Sequence, residues 1–225
     1  MGHLNKDILV VIPARKGSKR LPGKNSMPLA GKPLIAHSID YAQKHISNAD
    51  IVVSTNDPAI VAIAEEYKAN VLHRSEALCQ DHTPTSDVLQ NVLEMLNVSY
   101  RYVVLLQPTN PLRPTGLFKK CFTHMLKHGA DSLLSVSPNK RKLGTIDNHF
   151  FTPSSYHFGQ RSQDLTPLFF ENGLMYISAY DLALNGSMLS EMPLSFEMDH
   201  PFATVDIDTE LDFQWAEFVL NNYND

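Results

Sequence analysis

The amino-acid sequence predicts an α/β fold built on a mostly parallel, doubly wound sheet of the Rossmann-like type. From residue 7 to about residue 136, short apolar runs with the length of buried strands alternate with segments that have the apolar spacing of helices. Strands that alternate with helices pair in parallel, because each helix carries the chain back across one face of the sheet. The length of 225 residues suits one domain spanning residues 1–225.

Each predicted element has its own pattern. Residues 7–12 are almost wholly apolar and end at Pro13, as expected of a buried first strand. Asp57 is expected to start the second helix, and Thr83 or Thr85 to cap the third. We predict further strands at residues 51–54, 70–72, 102–106, 132–136 and 172–178, and helices at residues 33–45, 58–67, 85–96, 114–128 and 208–220.

Residues of about 139–171 break this alternation. They mix polar, aromatic and turn residues without a sustained period. We expect an excursion or an oligomerisation arm there, within the single domain.

Composition and charge argue against several classes of protein. No apolar run approaches the roughly 18 residues of a membrane-spanning helix, and residues 1–7 lack the apolar stretch of a secretory signal. Cys79 and Cys121 lie far apart without metal-ligand spacing, which favours a reduced, cytoplasmic setting. The formal net charge of −5 argues against general nucleic-acid binding. We therefore expect a cytoplasmic protein with no membrane and no nucleic-acid partner.

Basic residues are concentrated between residues 8 and 39, where the sequence has no Asp or Glu. They follow the first predicted strand, at the edge of a parallel sheet where ligands bind. Gly17 and Gly23 permit close approach of a ligand to the backbone, and Arg15 can hold a phosphate with two hydrogen bonds. The basic side chains of this stretch are Arg15, Lys16, Lys19, Arg20, Lys24 and Lys32.

The spacing of this stretch excludes two familiar nucleotide-binding motifs. A P-loop has four residues between its glycines and then Lys-Ser/Thr. Here five residues separate Gly17 from Gly23, and Asn25 follows Lys24. The Gly-x-Gly-x-x-Gly pattern of dinucleotide sites is also absent from the sequence. The stretch predicts a phosphate-binding loop of another kind, with a solvated basic loop as the alternative.

Acidic residues are concentrated near the other end of the chain. Asp206 and Asp208 are two residues apart, so in an extended segment at a strand end both carboxylates point the same way. Magnesium commonly uses one or two carboxylates together with substrate phosphates. The alternative is that Asp208 or Thr209 only caps the last helix, which would leave Asp206 without a role. The pair predicts a magnesium site.

Four blocks of sequence carry a resemblance to a known family. The segment Ile12-Pro-Ala-Arg-Lys-Gly-Ser-Lys-Arg-Leu-Pro-Gly-Lys-Asn25 closely resembles the opening signature of the acylneuraminate cytidylyltransferases, the CMP-sialic acid synthetases. Three further blocks match in the family's order. They are Ile51-Val-Val-Ser-Thr-Asn-Asp57, Leu105-Leu-Gln-Pro-Thr-Asn-Pro-Leu-Arg113 and Val205-Asp-Ile-Asp-Thr-Glu-Leu-Asp212. Related enzymes that activate an octulosonate usually have Pro at the position of Asn25, which favours the acylneuraminate branch.

The resemblance implies a reaction. CMP would pass from CTP to the anomeric hydroxyl of an acidic nine-carbon sugar, with release of pyrophosphate and with Mg²⁺ as cofactor. The sugar would be sialic acid, its deaminated form or a bacterial analogue. Residues of about 139–171 would form a dimerisation arm, and the protein would be a homodimer.

The resemblance also implies roles for the matching residues. Catalysis would depend on Arg15 and Lys24, which stabilise the leaving pyrophosphate, and on Asp206 and Asp208, which bind the metal. The residues in contact with CTP would be Pro13, Ala14, Arg15, Ser18, Lys19, Lys24, Asn25, Arg74 and Ser86. The residues in contact with the sugar would be Gln107, Arg161, Glu171 and Asn172, with Arg161 at the sugar carboxylate.

Two departures from the family pattern bear on the acceptor. The usual Arg-Gln pair is replaced by Gln160-Arg-Ser-Gln163, and Glu171 stands before Asn172-Gly173 where relatives that act on N-acetylneuraminate commonly have Pro. A carboxylate beside an anionic sugar is repulsive unless it pairs with a cation or accepts hydrogen bonds from the sugar. The choice of nonulosonic acid therefore stays open. Two further functions stay open as well: a cytidylyltransferase for an octulosonate or another acceptor, and a non-catalytic nucleotide-binding or oligomerisation domain.

Overall fold

A computed structural model describes residues 6–223 of the chain. The first five and last two residues of the predicted 1–225 domain lie outside this description, as does most of the segment predicted to carry no secretory signal. Within residues 6–223, no helix is long and apolar enough to cross a membrane.

Eleven strands and six α-helices make up the described chain. The strands are β1 (Ile8–Pro13), β2 (Pro28–Leu29), β3 (Lys32–Pro33), β4 (Ala49–Thr55), β5 (Asn70–His73), β6 (Tyr102–Leu105), β7 (Ser132–Asn139), β8 (Gly144–Asp147), β9 (Phe150–Pro153), β10 (Leu168–Ala179) and β11 (Leu194–Glu197). The helices are α1 (Leu34–His45), α2 (Pro58–Glu66), α3 (Thr85–Leu96), α4 (Leu117–His128), α5 (Tyr180–Leu184) and α6 (Glu210–Asn222).

A seven-stranded sheet forms the centre, in the order β11-β7-β10-β6-β1-β4-β5. β1 pairs in parallel with β4 and β6, and β5 pairs in parallel with β4. β10 lies antiparallel between β6 and β7, and β11 is parallel to β7. The predicted α/β fold with a mostly parallel sheet is confirmed. The reversed direction of β10 and the existence of β11 were not predicted.

Alternate residues of β1 enter the two layers that cover the sheet. Val10 and Ile12 belong to the core cluster that includes buried residues of α1, α2 and α4. Leu9 and Val11 belong to the cluster that includes buried residues of α3 and α5. Because successive side chains of a strand point to opposite faces, an all-apolar strand is what a sheet covered on both sides requires.

Helix α6 covers the segment that follows β1. Its buried residues Phe213, Ala216 and Val219 belong to one core cluster with Leu21 and Leu29. This packing brings the acidic stretch before α6 next to the basic loop after β1, although the two are far apart in the sequence.

The third helix begins at Thr85 as predicted but lacks its predicted cap, the fourth begins later than predicted, and the predicted cap of the second is confirmed. Pro84 precedes α3 and no side chain caps that helix, so neither Thr83 nor Thr85 has the predicted role. The helix predicted from residue 114 begins at Leu117, after Gly116 in the left-handed region. Asp57 does cap α2, because its side chain accepts a hydrogen bond from the Ala59 amide.

The predicted arm at residues 139–171 contains more regular structure than its sequence suggests. β8 and β9 form an antiparallel hairpin outside the main sheet. The last residues of the predicted arm, from Leu168 onward, already belong to β10. Phe150 and Phe158 are 77% and 71% exposed.

Candidate active site

The loop after β1 starts at the carboxyl end of a central strand of the sheet. Gly17 and Gly23 adopt φ angles of +83° and +71°, a region that favours glycine. A single 3-10 turn, Lys24–Ser26, then buries Lys24 and Asn25. The Lys24 ammonium donates to the Ile207 carbonyl oxygen at 2.7 Å, which ties the loop to the chain just before α6.

Asp81 pairs with two cations of this loop. Its Oδ1 lies 2.7 Å from Nη2 of Arg15, and its other oxygen pairs with the Lys19 ammonium. These hydrogen bonds, first from Lys19 and then from Arg15, lower the pKa of the Asp81 carboxyl below its ordinary value. Arg15 also donates to the Cys79 carbonyl oxygen at 3.2 Å. Asp81 and Cys79 therefore attach the segment between β5 and α3 to the basic loop.

Asp208 pairs with two further cations. Its Oδ1 accepts a hydrogen bond from Lys24 at 2.8 Å, and its Oδ2 lies 3.0 Å from Nη1 of Arg20. The side chains of both ion-pair groups and Ser18 surround a cavity of about 330 Å³, here called the phosphate cavity. Its lining residues are Arg15, Ser18, Lys19, Arg20, Lys24, Asp81 and Asp208.

A second cavity of about 210 Å³, the nucleotide cavity, adjoins the first. Oδ1 of Asn25 is buried in its wall and has no hydrogen-bond partner within residues 6–223. A buried acceptor left unbonded is unfavourable, so this atom suits a ligand that offers an N–H or O–H group. Six of the nine predicted CTP contacts line this cavity: Pro13, Arg15, Ser18, Lys24, Asn25 and Arg74.

Arg74 is held in the nucleotide cavity by β4. Its Nη2 donates to the Ser54 carbonyl oxygen at 2.7 Å and its Nε to the Ser54 hydroxyl at 3.3 Å. Burial lowers the pKa of this guanidinium. Arg74 is thus a fixed cation in the cavity wall.

The other three predicted CTP contacts lie elsewhere. Lys19 lines the phosphate cavity. The Ala14 amide donates to the Ser54 carbonyl oxygen at 3.0 Å, so its N–H is already bonded within the protein. Ser86 is not a lining residue of the nucleotide cavity; its hydroxyl donates to Asp87 at 3.3 Å. Thr83 and Thr85, at the start of α3, line the nucleotide cavity.

The largest cavity of the site, about 720 Å³, lies on the other side of Gln107 and is here called the acceptor cavity. Gln107 lines both this cavity and the nucleotide cavity, so the two are adjacent. The polar and charged side chains that line the acceptor cavity are Gln107, Asn110, Asn139, Lys140, Arg141, Glu171, Asn172, Tyr176, Thr204 and Asp206.

Asn172, a predicted sugar contact, is bonded within the protein. Its Oδ1 accepts hydrogen bonds from the Ser135 hydroxyl at 2.6 Å and from the Leu174 amide at 3.1 Å, and its Nδ2 donates to the Ser137 hydroxyl at 3.0 Å. The side chain is only 3% exposed. Its amide therefore fixes β10 against β7.

Asp206 lines the acceptor cavity and Asp208, two residues on, lines the phosphate cavity. The prediction that they lie at a strand end is wrong, because they follow the 3-10 turn Pro201–Thr204. The Ile207 amide donates to the Thr109 carbonyl oxygen, but no strand ladder forms at this segment. Desolvation, and then the charge of Asp208, raises the pKa of Asp206. The carboxylates are close enough to interact.

The alternative role for Asp208, as a helix cap, is taken by its neighbour. Thr209 accepts a hydrogen bond from the Asp212 amide, and the Asp212 carboxylate accepts one from the Thr209 amide, which forms a capping box at the start of α6. Asp208 therefore does not cap the helix, and its carboxylate pairs with Lys24 and Arg20.

Arg113 is a buried residue that connects the wall of the site to β10 and α1. Its guanidinium donates to the carbonyl oxygens of Leu174 at 2.7 Å and Gln107 at 2.9 Å, and to the Ser38 hydroxyl at 2.9 Å. Arg113 makes no salt bridge with any residue in the range 6–223. Burial lowers the pKa of Arg113 to about 10, so the group remains charged at neutral pH.

Arg161, the residue predicted to receive the sugar carboxylate, is not brought to the acceptor cavity. Its Nε and Nη2 bond to both oxygens of Asp164, at 2.7 and 3.1 Å. The side chain is 70% exposed, and it does not line the acceptor cavity. Lys140 and Arg141 are the cations that do.

Several site residues were not predicted. Asp81 pairs with two predicted residues, and Tyr176 and Asn110 line the acceptor cavity. Arg20 belongs to the predicted basic stretch but was given no role of its own, and it pairs with Asp208. Asn110 lies within a block that matches the family, and Tyr176 lies in a predicted strand, so a signal existed for both. Asp81 offered no such signal, because its contacts depend on how the segment before α3 folds.

Comparisons with known proteins agree with this architecture. The family model for cytidylyltransferases matches residues 9–192. The CMP-N,N'-diacetyllegionaminic acid synthase of Legionella pneumophila is 37% identical to this chain over 95% of this chain and 96% of that protein. The N-acylneuraminate cytidylyltransferase of Streptococcus agalactiae is 33% identical over 91% of this chain, and the chain spans about half, 51%, of that protein.

A solved structure shares the fold. The CMP:2-keto-3-deoxy-manno-octonic acid synthetase complexed with CTP has a TM-score of 0.73 and 19% identity, covering 95% of this chain and 98% of that one. The resemblance carried by the four sequence blocks is confirmed by the family match and by the full-length relative. On these grounds the chain belongs to the cytidylyltransferase family.

Proposed function

We propose that this cytidylyltransferase transfers CMP from CTP to the anomeric hydroxyl of a nonulosonic acid and releases pyrophosphate. The observation that carries the proposal is that the nucleotide cavity shares lining residues with each of the other two cavities. Gln107 is shared by the nucleotide and acceptor cavities, and Asp206 and Asp208 line the acceptor and phosphate cavities respectively. An acceptor hydroxyl near Asp206 would thus face the α-phosphate of a nucleotide bound on the basic loop. The relatives' printed names, for legionaminic and acylneuraminic acids, support the sugar class.

Charge in the phosphate cavity supports the role given to the basic loop. Arg15 and Lys24 are held by carboxylates that a triphosphate can replace as partners, since phosphate oxygens accept the same hydrogen bonds. Fixed cations opposite the phosphates stabilise the charge that develops as pyrophosphate leaves. Nothing in this scheme needs a covalent intermediate on the protein; positioning and electrostatics suffice.

Magnesium is the proposed cofactor, held by Asp206 and Asp208. Within residues 6–223, no group of three or more His, Cys, Asp or Glu side chains could hold a metal ion by itself. Two carboxylates fit magnesium, because this ion commonly completes its shell with water and substrate phosphates. A bound Mg²⁺ ion would neutralise phosphate charge and lower the pKa of the attacking hydroxyl.

A homodimer in the cytoplasm completes the proposal. The hairpin β8–β9 and the turn after it expose Ile146, Phe150 and Phe158 by 71 to 77%, which a second copy of the chain would cover.

Pyrophosphate release from CTP tests the reaction directly. The purified protein is incubated with CTP, Mg²⁺ and a panel of nonulosonic and octulosonic acids, with ATP and UTP as nucleotide controls. Release that requires CTP and a nonulosonic acid is expected. Release only with an octulosonic acid would move the function to that acceptor, and CTP binding without release from any acid would favour a non-catalytic domain.

The metal role has its own test in Asp206→Asn. The variant keeps the size of the side chain but loses the charge that would bind Mg²⁺, so we expect turnover to fall by at least about 100-fold. Circular dichroism should show an unchanged fold, because Asp206 is not part of the core. Glu210→Gln, an exposed acidic residue on the nearby α6, is the matched control and should retain full activity. Near-normal turnover in Asp206→Asn would remove the metal role.

A further inference from the structure

The acceptor cavity contains a carboxylate, Glu171, that was predicted to contact the sugar but whose partner on the sugar the proposed reaction leaves unassigned. Glu171 lines this cavity and lies on β10, close to Tyr176. The Tyr176 hydroxyl donates a hydrogen bond to Oε2 of Glu171 at 3.1 Å. A carboxylate in a cavity for an anionic sugar would weaken binding unless it makes a favourable contact with the sugar.

A bulge in β10 creates this pair. Glu171 pairs with Val136 of β7, and Tyr176 pairs with Leu134, so five steps along β10 correspond to two along β7. In a regular strand, residues five apart point to opposite faces. The extra residues, with Gly173 at φ +74°, turn the strand so that both side chains reach the same cavity.

The hydrogen bond leaves half of the carboxylate available. Burial, and then the negative charge of Glu171, raises the pKa of the Tyr176 hydroxyl, which therefore stays protonated and remains a donor. Oε1 of Glu171 has no hydrogen-bond or ion-pair partner in the described part of the chain. Tyr176 thus orients Glu171 with one oxygen free.

The cations of the cavity do not neutralise Glu171. Lys140 and Arg141 line the same cavity, but within residues 6–223 neither forms a salt bridge with Glu171. The Lys140 Nζ atom lies 3.9 Å from Oδ2 of Asp199, and both of those side chains are highly exposed. These cations are available for the sugar carboxylate, and Glu171 is available for a neutral donor elsewhere on the sugar.

We propose that Glu171, oriented by Tyr176, is a specificity-determining residue that accepts a hydrogen bond from a hydroxyl or amide N–H group of the acceptor sugar. This inference rests on the proposed function. Acceptors that carry the donor are selected, because a hydrogen bond to a carboxylate is stronger than one to a neutral group. Acceptors that lack it leave the carboxylate desolvated without a partner and are rejected.

The test compares how wild type and variants discriminate between acceptors. The best acceptor from the pyrophosphate assay is matched with analogues in which one hydroxyl or one acetamido group at a time is replaced by hydrogen. For wild type, one analogue should lose roughly 10- to 100-fold in kcat/KM. Whether that analogue lacks a hydroxyl or an acetamido group identifies the donor.

Three variants separate a specificity role from a structural one. In Glu171→Ala, the ratio of kcat/KM between the acceptor and that analogue should fall close to one, with the KM for CTP unchanged within about twofold. Glu171→Gln should retain part of this ratio, since its amide oxygen still accepts a hydrogen bond. Tyr176→Phe should reduce the discrimination less than Glu171→Ala does. Glu197→Gln, an exposed glutamate on β11 outside the cavity, is the control and should discriminate as wild type does.

Distinct outcomes would overturn the inference and the proposed function. If Glu171→Ala lowers kcat/KM equally for every acceptor, or changes none, Glu171 is not a specificity residue even though the reaction stands. If wild type releases no pyrophosphate with any acid, both are overturned together.

Discussion

Asp81 occupies the position of an anion in the phosphate cavity. Its carboxylate pairs with Arg15 and Lys19, the same cations that are proposed to hold the triphosphate. A bound triphosphate must therefore compete with Asp81 for these partners. Ion pairs at an exposed site are individually weak, so the competition is modest and depends on salt.

We expect Asp81→Asn to tighten the binding of CTP and of inorganic pyrophosphate by roughly two- to fivefold at low salt. The amide keeps the size of the side chain and removes the competing charge. Calorimetric titration of both ligands measures the effect, and Glu94→Gln on α3 serves as an exposed acidic control outside the site. Weaker binding in Asp81→Asn would instead mean that Asp81 positions the two cations for the ligand.

Single residues show what a sequence can and cannot predict. Lys24, Asn25 and Arg74, all predicted to contact CTP, line one cavity. Lys24 and Asn25 belong to the loop after β1, whereas Arg74 directly follows β5 and reaches the cavity through the fold. Asn172 was predicted to bind the sugar, yet its amide is bonded inside the protein. The motif identifies the residue as important without saying whether it contacts a ligand or holds a strand.

The bulge in β10 packs against Asn110, a residue that lines the acceptor cavity. Gly173 has a φ of +74°, and a Cβ there would lie 2.4 Å from Oδ1 of Asn110. The Asn110 amide donates to the carbonyl oxygens of Asn172 and Val205, at 3.1 and 3.0 Å. A side chain at position 173 would therefore disturb the connection between β10 and the acidic stretch before α6.

Gly173→Ala should destabilise the protein by roughly 1–3 kcal/mol, through backbone strain and overpacking. It should also raise the KM for the acceptor more than the KM for CTP. Gly159→Ala is the matched control, because Gly159 has a similar φ of +84° but no atom within 4 Å of the added Cβ. Thermal melts and steady-state kinetics compare the two, and equal effects would attribute the loss to φ alone.

Periodic patterns predicted the elements better than their directions. Alternating apolar runs located β1, β4, β5, β6 and β7 within about two or three residues of their observed bounds. Nothing local shows that β10 runs antiparallel, because strand direction depends on where the chain returns after the arm. The Asp206–Asp208 segment was likewise predicted as extended, although its partner is one backbone carbonyl rather than a strand.

At the scale of the whole molecule, the exposed hairpin predicts a dimer. Phe150→Ser combined with Phe158→Ser should shift the protein from dimer to monomer in sedimentation velocity, because the exposed apolar area that a second copy would cover is lost. Met192→Ser, at a residue 89% exposed elsewhere on the surface, should leave the dimer intact. A wild-type protein that sediments as a monomer at micromolar concentration would contradict the dimer itself.

Arg113 has a consequence for how the enzyme responds to heat. One buried guanidinium bonds to Gln107, to Leu174 of β10 and to Ser38 of α1, so the wall between the nucleotide and acceptor cavities is anchored in the same core that holds the sheet together. If that wall moved by itself, the buried Arg113 guanidinium would lose its hydrogen bonds, which is unfavourable by several kcal/mol. Gln107 should therefore keep its place between the two cavities almost to the melting temperature and lose it only when the protein unfolds.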